Sequence, residues 1–286
     1  MVEIGCDEGI GRDATMSKRS AGTMLAAGLL GAAIGGLPTG AVAADPAPAA
    51  TSTHAPSDDP GAWRIDVASY GWMSGFKGTT ATLPPLPAVH VDLGFGDILS
   101  KLDGAVMGIV YARKDRMILW GDLMYSKLSV EQTFVTSVST SLKLSSSTLI
   151  ASGGVGWTLV DDRIWSLDLL AGARLYDVAT DATLSIPGIG VTKSGRTDET
   201  WVDPMIGARF GARLSERWYL TSWAFVGGFD AGSKSSWDLF GGIGHDFTDR
   251  YTLLVGYRGL GVDYARGGYV YDVVQQGPIV GLKVRF

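Results

Sequence analysis

The chain has 286 residues, of which 46% are hydrophobic, 19% are charged and 40 are glycine. The apolar content excludes a disordered chain, and a charged fraction below the roughly 25% of ordinary soluble domains favours a sheet protein that exposes apolar surface. The 24 basic and 29 acidic residues give a formal net charge of −5, which argues against nucleic-acid binding because phosphate recognition needs a basic excess.

The first part of the chain reads as a targeting segment. A basic stretch at residues 16–20 is followed by an apolar run at 21–36 and by the small residues 41–44, which have the form of a signal-peptidase site. The apolar run is shorter than the roughly 20 residues of a membrane-spanning helix and is interrupted by glycines. We therefore predict a cleaved signal peptide at residues 16–44 and export of the mature chain.

Two further segments flank this signal. Residues 1–15 are polar and untypical of a signal, so we expect translation to begin at Met16 and interpret 1–15 as a mis-assigned start. Residues 45–61 are rich in Ala, Pro, Ser and Thr and form a predicted flexible linker. The single cysteine, Cys6, lies before the mature chain, which excludes a disulfide framework and a cysteine-built metal site.

From residue 62 to 286, segments of about ten residues alternate between apolar and polar positions, with aromatic residues near their ends. Alternation with this spacing is typical of strands in a transmembrane β-barrel. The predicted strands are 63–75, 102–114, 116–130, 146–160, 163–179, 198–214, 217–229, 235–247, 250–263 and 276–286. A soluble β-sandwich would alternate as well, with its apolar face inward, so further features must decide between the two.

The C-terminal strand is one such feature. Lys283 and Arg285 share one face and cannot point into lipid, so the other face is the apolar one. The chain ends on an aromatic residue of that apolar face, as expected for a strand recognised by the barrel-assembly machinery. The residues of this predicted assembly signal are Val280, Leu282, Val284 and Phe286.

The connections provide the second feature, because very short ones alternate with long ones. The short connections are acidic followed by arginine, as in 161–163 and 248–250, and the long ones are polar or rich in Gly and Pro: 77–101, 131–145, 181–197, 230–235 and 264–275. Outer-membrane barrels have short periplasmic turns and longer external loops. Because unpaired backbone groups are costly in hydrocarbon, only a closed sheet is tolerated there.

The predicted fold is therefore an all-β, transmembrane, antiparallel up-and-down β-barrel of about ten strands. The count becomes twelve if Val89–Leu93 is a strand paired with Thr79–Leu83, and eight if the segment near 131–145 is misread. We place the barrel in the cell outer membrane, as a monomer in contact with outer-membrane lipid.

Several sequence motifs carry a family resemblance. The runs Val226–Ser233, Gly256–Arg258 and Val262–Tyr264, with Trp237 between them, resemble the C-terminal half of an uncharacterised family of Gram-negative outer-membrane β-barrel proteins. That family is broadly similar to opacity-protein and porin-like small barrels. The resemblance implies the barrel and says almost nothing about chemistry.

Charged residues whose position in the alternation points them inward are the candidate site. They either pair with one another in a packed lumen or line a water-filled path and set ion preference. The predicted lumen-lining charges are Arg64, Asp66, Asp122, Asp168, Arg174, Asp203, Arg209, Arg213, Asp238, Arg258, Lys283 and Arg285.

Catalysis has little support. His54 lies in the linker, His90 in a predicted external loop and His245 beside a short periplasmic turn, and none has an evident nucleophile nearby. We predict no enzymatic activity, no cofactor and no metal. Aromatic residues at strand ends are predicted interface anchors: Trp63, Trp165, Trp218, Tyr251, Phe286, Tyr125 and Tyr257.

The function predicted from the sequence is porin-like passage of small solutes or ions, or a structural role in the outer membrane. The alternative is a surface-binding or adhesion barrel that acts through its external loops, because loops carry function on rigid scaffolds. An outer-membrane hydrolase ranks third.

Overall fold

The computed structural model describes residues 62–82, 88–135, 139–186 and 191–286. The predicted start at Met16, the signal peptide 16–44 and the linker 45–61 lie outside the described residues. One short helix, α1 (Phe95–Leu99), accompanies the strands. The strands are β1 (Arg64–Trp72), β2 (Gly75–Ala81), β3 (Val89–Leu93), β4 (Leu102–Lys114), β5 (Met117–Val135), β6 (Ser139–Asp161), β7 (Trp165–Ile186), β8 (Val191–Arg213), β9 (Trp218–Gly227), β10 (Ser235–Asp246), β11 (Tyr251–Arg266) and β12 (Tyr269–Arg285).

Ten of these strands close into an antiparallel barrel, as predicted from the alternation. The closure is made by β1, which pairs with β4 on one side and with β12 on the other. Ala68, for example, lies opposite Ile109 of β4 and Lys283 of β12. No helix among the described residues is long and apolar enough to cross a membrane.

The twelve-strand alternative correctly predicted that Val89–Leu93 is a strand paired with the segment near Thr79, but these two strands do not belong to the barrel ring. β3 pairs with β2, with Thr79 opposite His90, and β2 pairs with the part of β12 beyond β1. Because β12 is longer than β1, β2 and β3 extend the sheet above the ring without entering it. The ring itself keeps ten strands.

The predicted loops 131–145, 181–197 and 264–275 are mostly strand in the structure, so these loop predictions are wrong in extent. β11 and β12 are joined by a two-residue turn at Gly267 and Gly268, whose φ angles are 57° and 89°. Paired glycines with positive φ are typical of tight hairpin turns. The sequence predicted loops at 131–145 and 181–197 because polar residues predominate there, and at 264–275 because Arg266, Gly267 and Gly268 interrupt the alternation.

The barrel has two different ends. The end that carries the short turns, the start of β1 and the end of β12 is called the turn end. The opposite end is called the loop end. Outward positions carry a band of exposed aliphatic side chains, which includes Val67, Val106, Val110, Leu119, Leu123, Val155, Leu169, Val202, Ile206, Val226, Leu239, Ile243, Val255, Val280 and Leu282. The predicted aromatic anchors are also exposed, with Trp63, Trp165, Trp218, Tyr251 and Phe286 at the turn end and Tyr125 and Tyr257 farther along their strands.

Candidate functional site

A layer of paired charges crosses the barrel interior. We call Tyr70, Asp122, Arg174, Asp238 and Arg258 the charge layer. Arg258 Nη2 donates to Asp122 Oδ2 at 2.6 Å and to Asp238 Oδ2 at 2.7 Å, and Arg174 Nη2 donates to the same Asp238 oxygen at 2.5 Å. The Tyr70 hydroxyl donates to Asp122 Oδ1 at 2.6 Å and accepts from Arg258 Nη1 at 2.9 Å.

Neutral side chains complete this network. Trp223 Nε1 donates to Asp238 Oδ1 at 3.1 Å, and Ser152 Oγ accepts from Arg174 Nε at 2.7 Å. The Arg258 guanidinium carbon lies 5.4 Å from the ring centroid of Trp72 and 5.5 Å from that of Trp223, which permits cation–π attraction. Since Arg258 is only 1% exposed, side chains fill the barrel at this level.

A second pair of interactions lies closer to the turn end. Asp168 Oδ2 accepts from the Tyr111 hydroxyl at 2.6 Å and from Arg209 Nη1 at 3.4 Å, and the Arg209 guanidinium stacks over the Tyr111 ring at 4.3 Å. Across the ring, Lys283 Nζ lies 3.4 Å from Asp66 Oδ2. Inward charges near this end are therefore paired too. Asp168 is buried, whereas Arg209, Asp66 and Lys283 are partly exposed.

The interior is open at the turn end. Arg285 Nε lies 3.5 Å from Asp66 Oδ1, and Arg113 forms an ion pair with Asp161. Arg64 and Arg213 are exposed at this end, and Arg213 donates to the backbone oxygen of Glu216 at 3.3 Å.

Asp203 has a different role from the other predicted lumen charges. Its Oδ1 accepts from the Ser233 backbone N at 2.6 Å, and its Oδ2 accepts from the Ser233 hydroxyl at 2.5 Å. Asp203 is fully buried, and a Cβ on Gly232 would come within 2.6 Å of it. The carboxylate therefore fixes the β9–β10 loop and does not present its charge to the lumen.

Stacked aromatic rings fill the interior between the charge layer and the loop end. The Trp201 ring lies between Tyr176 and Tyr264, with centroid distances of 4.8 Å and 4.1 Å and nearly parallel planes. Tyr271 meets Trp201 edge-on at 5.8 Å. All four residues are buried, so this layer blocks the interior a second time.

Sequence reasoning missed the uncharged partners of the site, chiefly Tyr70, Tyr111 and Trp223. All three occupy inward positions of their strands, Tyr70 on the same face of β1 as Asp66. Their place in the alternation was therefore a usable signal.

The histidines do not converge on a catalytic arrangement. His245 faces outward at the turn end, with its ring 4.3 Å from Trp218 and 5.1 Å from Phe247. His90 is exposed on β3, and His54 lies outside the described residues. Within the part of the chain that the structure describes, His, Cys, Asp and Glu side chains form no group able to hold a metal ion.

Three adjacent strands, β6, β7 and β8, extend far beyond the band of exposed aliphatic side chains, called the apolar band. β6, β7 and β8 contain 23, 22 and 23 residues, about twice the roughly 9–11 residues of a membrane-crossing strand. β9 contains only 10 residues, and its pairing with β8 ends at Met205. Pro204, which has no N–H to donate, marks the point where β8 becomes an edge strand.

The protruding part of β8 is highly polar. Arg196 Nη2 donates to Asp198 Oδ1 at 2.8 Å, and this hydrogen bonding lowers the pKa of the Asp198 carboxyl. Charged side chains on an edge strand discourage pairing with other sheets. The protruding sheet of β5 to β8 thus presents hydrophilic side chains at the loop end.

No protein-family model and no curated protein matches the chain. It is similar to the solved structure of the outer membrane protease OmpT from Escherichia coli, with a TM-score of 0.47 and 13% identity over 82% of this chain and 100% of that one. It is similar to the translocator domain of autotransporter NalP from Neisseria meningitidis, with a TM-score of 0.46 and 11% identity over 80% and 90%. A third structure is Ail, the attachment invasion locus protein of Yersinia pestis, with a TM-score of 0.31 and 10% identity over 78% and 98%.

Proposed function

We propose that the protein is an integral outer-membrane β-barrel with a structural, non-conducting role in the cell envelope. The observation that carries this proposal is the charge layer, in which Arg258 is 1% exposed and bonded to carboxylates from two other strands. The porin-like alternative needs a water-filled path through this layer.

The outward face supports the membrane part of the proposal. Its exposed aliphatic side chains belong to a closed sheet, and in hydrocarbon a closed sheet leaves no backbone group unpaired. We propose outer-membrane lipid as the partner of this face and a monomer as the assembled state. Insertion would use the barrel-assembly machinery, which reads Val280, Leu282, Val284 and Phe286.

The cost of opening supports the non-conducting part. An ion passing the layer would have to separate Arg258 from Asp122 and Asp238, whose side chains are almost completely buried. Removing one partner of a buried ion pair typically costs about 3–5 kcal/mol. The stacked Tyr176, Trp201 and Tyr264 would have to move as well.

A liposome-swelling assay tests this proposal. Liposomes that contain the purified barrel should not swell in isosmotic arabinose or glycine faster than empty liposomes. Liposomes with a general diffusion porin provide the positive control. Swelling that scales with the amount of incorporated barrel would overturn the non-conducting role.

We further propose that the barrel is not an enzyme. His245 is held against the Trp218 and Phe247 rings on the outward face, and His90 lies on the added strand β3. Detergent-solubilised barrel should therefore hydrolyse neither phospholipids nor peptides. Activity that disappears in His90→Ala or His245→Ala would contradict this proposal.

A second candidate function is binding at the cell surface, which the height of β6, β7 and β8 favours. Residues 182–195 can be removed and the paired Asp181 and Arg196 joined through Asn-Gly, which shortens one protruding hairpin without changing the barrel register. Cells that carry this variant should lose adhesion to matrix or host cells if the sheet is the binding surface. A second variant shortens the neighbouring hairpin of the same sheet, between the paired Glu131 and Lys143, and should weaken adhesion as well; unchanged adhesion in both variants would contradict a binding role.

A further inference from the structure

A cavity remains inside the barrel on the turn-end side of the charge layer. Its volume is about 90 Å³, and its wall is largely apolar, with Trp120, Leu170, Phe225 and Leu254 among the lining side chains. The charge layer closes its inner end through Arg258 and its partners. The cavity is therefore a dead end for anything that enters from the turn end.

A wider and more polar vestibule leads into this cavity. The vestibule has a volume of about 310 Å³ and opens at the turn end. Asp66, Arg209, Tyr219, Thr221 and Lys283 line both spaces, so the two adjoin each other. Together they form a pocket with an apolar interior and a charged entrance.

The entrance carries an excess of positive charge, with six cationic side chains against four acidic ones. The vestibule carries both signs of charge, and its net excess of positive charge favours anions over cations at the entrance. The cationic residues are Arg113, Arg163, Arg209, Arg213, Lys283 and Arg285.

We infer that this pocket binds a small anionic molecule with an apolar or aromatic body, such as an aromatic carboxylate. The body occupies the cavity and the inner part of the vestibule, and the carboxylate lies among the cationic side chains of the entrance. An engineered apolar cavity of about 150 Å³ binds benzene; the cavity here is smaller, at about 90 Å³, so the body must extend into the adjoining vestibule. The site faces the compartment at the turn end and requires neither conduction nor the protruding sheet.

Binding is tested with phenylacetate as the probe and with the full barrel in lipid nanodiscs. Saturation-transfer NMR and calorimetry should detect saturable binding of phenylacetate. The neutral 2-phenylethanol and the cationic phenethylamine should bind at least tenfold more weakly, because only the anion matches the entrance. Lys283→Gln should reduce this preference for the anion.

The location is tested by filling the cavity. Ala68→Phe places a ring in the cavity, because Ala68 lies in its wall, and it should abolish phenylacetate binding. Val67→Phe is the matched control, because the neighbouring side chain is 42% exposed on the outward face. Both variants are checked for heat-modifiable gel mobility, and Leu170→Phe replaces Ala68→Phe if the latter does not fold.

Two results would overturn the inference. The first is the absence of saturable phenylacetate binding to the wild-type barrel. The second is binding that folded cavity-filled variants retain at wild-type strength, which would locate phenylacetate in the lipid or elsewhere on the surface. Conductance in bilayers would contradict the proposed structural role but would leave this test unaffected.

Discussion

Arg258 and Asp122 are 136 residues apart in the chain, and Arg258 Nη2 donates to Asp122 Oδ2 at 2.6 Å across the barrel interior. Their strands, β11 and β5, are four positions apart in the ring. The bond therefore links two walls that share no backbone hydrogen bonds. It stabilises the barrel and closes the lumen at the level of the charge layer.

Removing the central cation should destabilise the barrel strongly. Arg258→Met leaves Asp122 and Asp238 buried without this partner, and we expect a loss of about 3–5 kcal/mol in the free energy of unfolding. Urea titration in phospholipid vesicles measures it. Lys234→Met removes an exposed ion pair with Asp263 and should cost no more than about 1 kcal/mol. Equal midpoints for the two variants would show that the charge layer contributes no stability.

Two outward positions on β7 test which part of the barrel surface is covered by lipid. Leu169 is 53% exposed on the outward face of β7, and Leu169→Arg should cost about 2–4 kcal/mol if hydrocarbon covers it. Thr183 lies on the same face of β7, beyond the apolar band. Thr183→Arg should therefore change the free energy of unfolding by less than about 1 kcal/mol. Similar losses at both positions would argue that lipid does not define the band.

Asp203 should control the β9–β10 loop. Asp203→Ala removes both acceptors of Ser233, so we expect protease cleavage within residues 228–234 to accelerate at least tenfold in intact cells. Asp230→Asn alters an exposed residue of the same loop and serves as the control. If the Asp203→Ala loop resists protease as well as the wild-type loop does, Asp203 does not fix it.

The β11–β12 turn should depend on glycine. Gly268 has φ of 89°, and Gly268→Ala should destabilise the barrel by about 1–2 kcal/mol because L-residues avoid positive φ. At Gly195 an added Cβ meets no atom within 4 Å, so Gly195→Ala should be neutral. An unchanged urea midpoint for Gly268→Ala would contradict the turn geometry.

Much of the fold follows from alternation alone. The period of two correctly predicted which face of β12 is apolar and gave the ten strands of the ring, since lipid outside and polar contacts inside impose opposite demands on alternate residues. The same reasoning failed where polar residues predominate and the apolar alternation is lost. Residues 131–135 and 191–197 therefore read as loop, although backbone pairing continues there.

The partners within the site were beyond the reach of the sequence. Alternation directs Arg258 and Asp122 inward, but their contact depends on ring closure and on the stagger between strands, which no local pattern encodes. The contact of Asp203 with Ser233 could not be predicted either, because Ser233 lies in the β9–β10 loop, which reaches β8 beyond the end of the shorter strand β9. Hence the inward direction of these charges could be predicted, and their pairing could not.

Single-channel recording in planar lipid bilayers tests the central claim most directly. Wild-type barrel, purified in parallel with a preparation from cells that lack the gene, should produce no conductance steps in concentrated potassium chloride. Reproducible steps that appear only with the wild-type barrel would show that ions pass Arg258, and would contradict a lumen closed by paired charges.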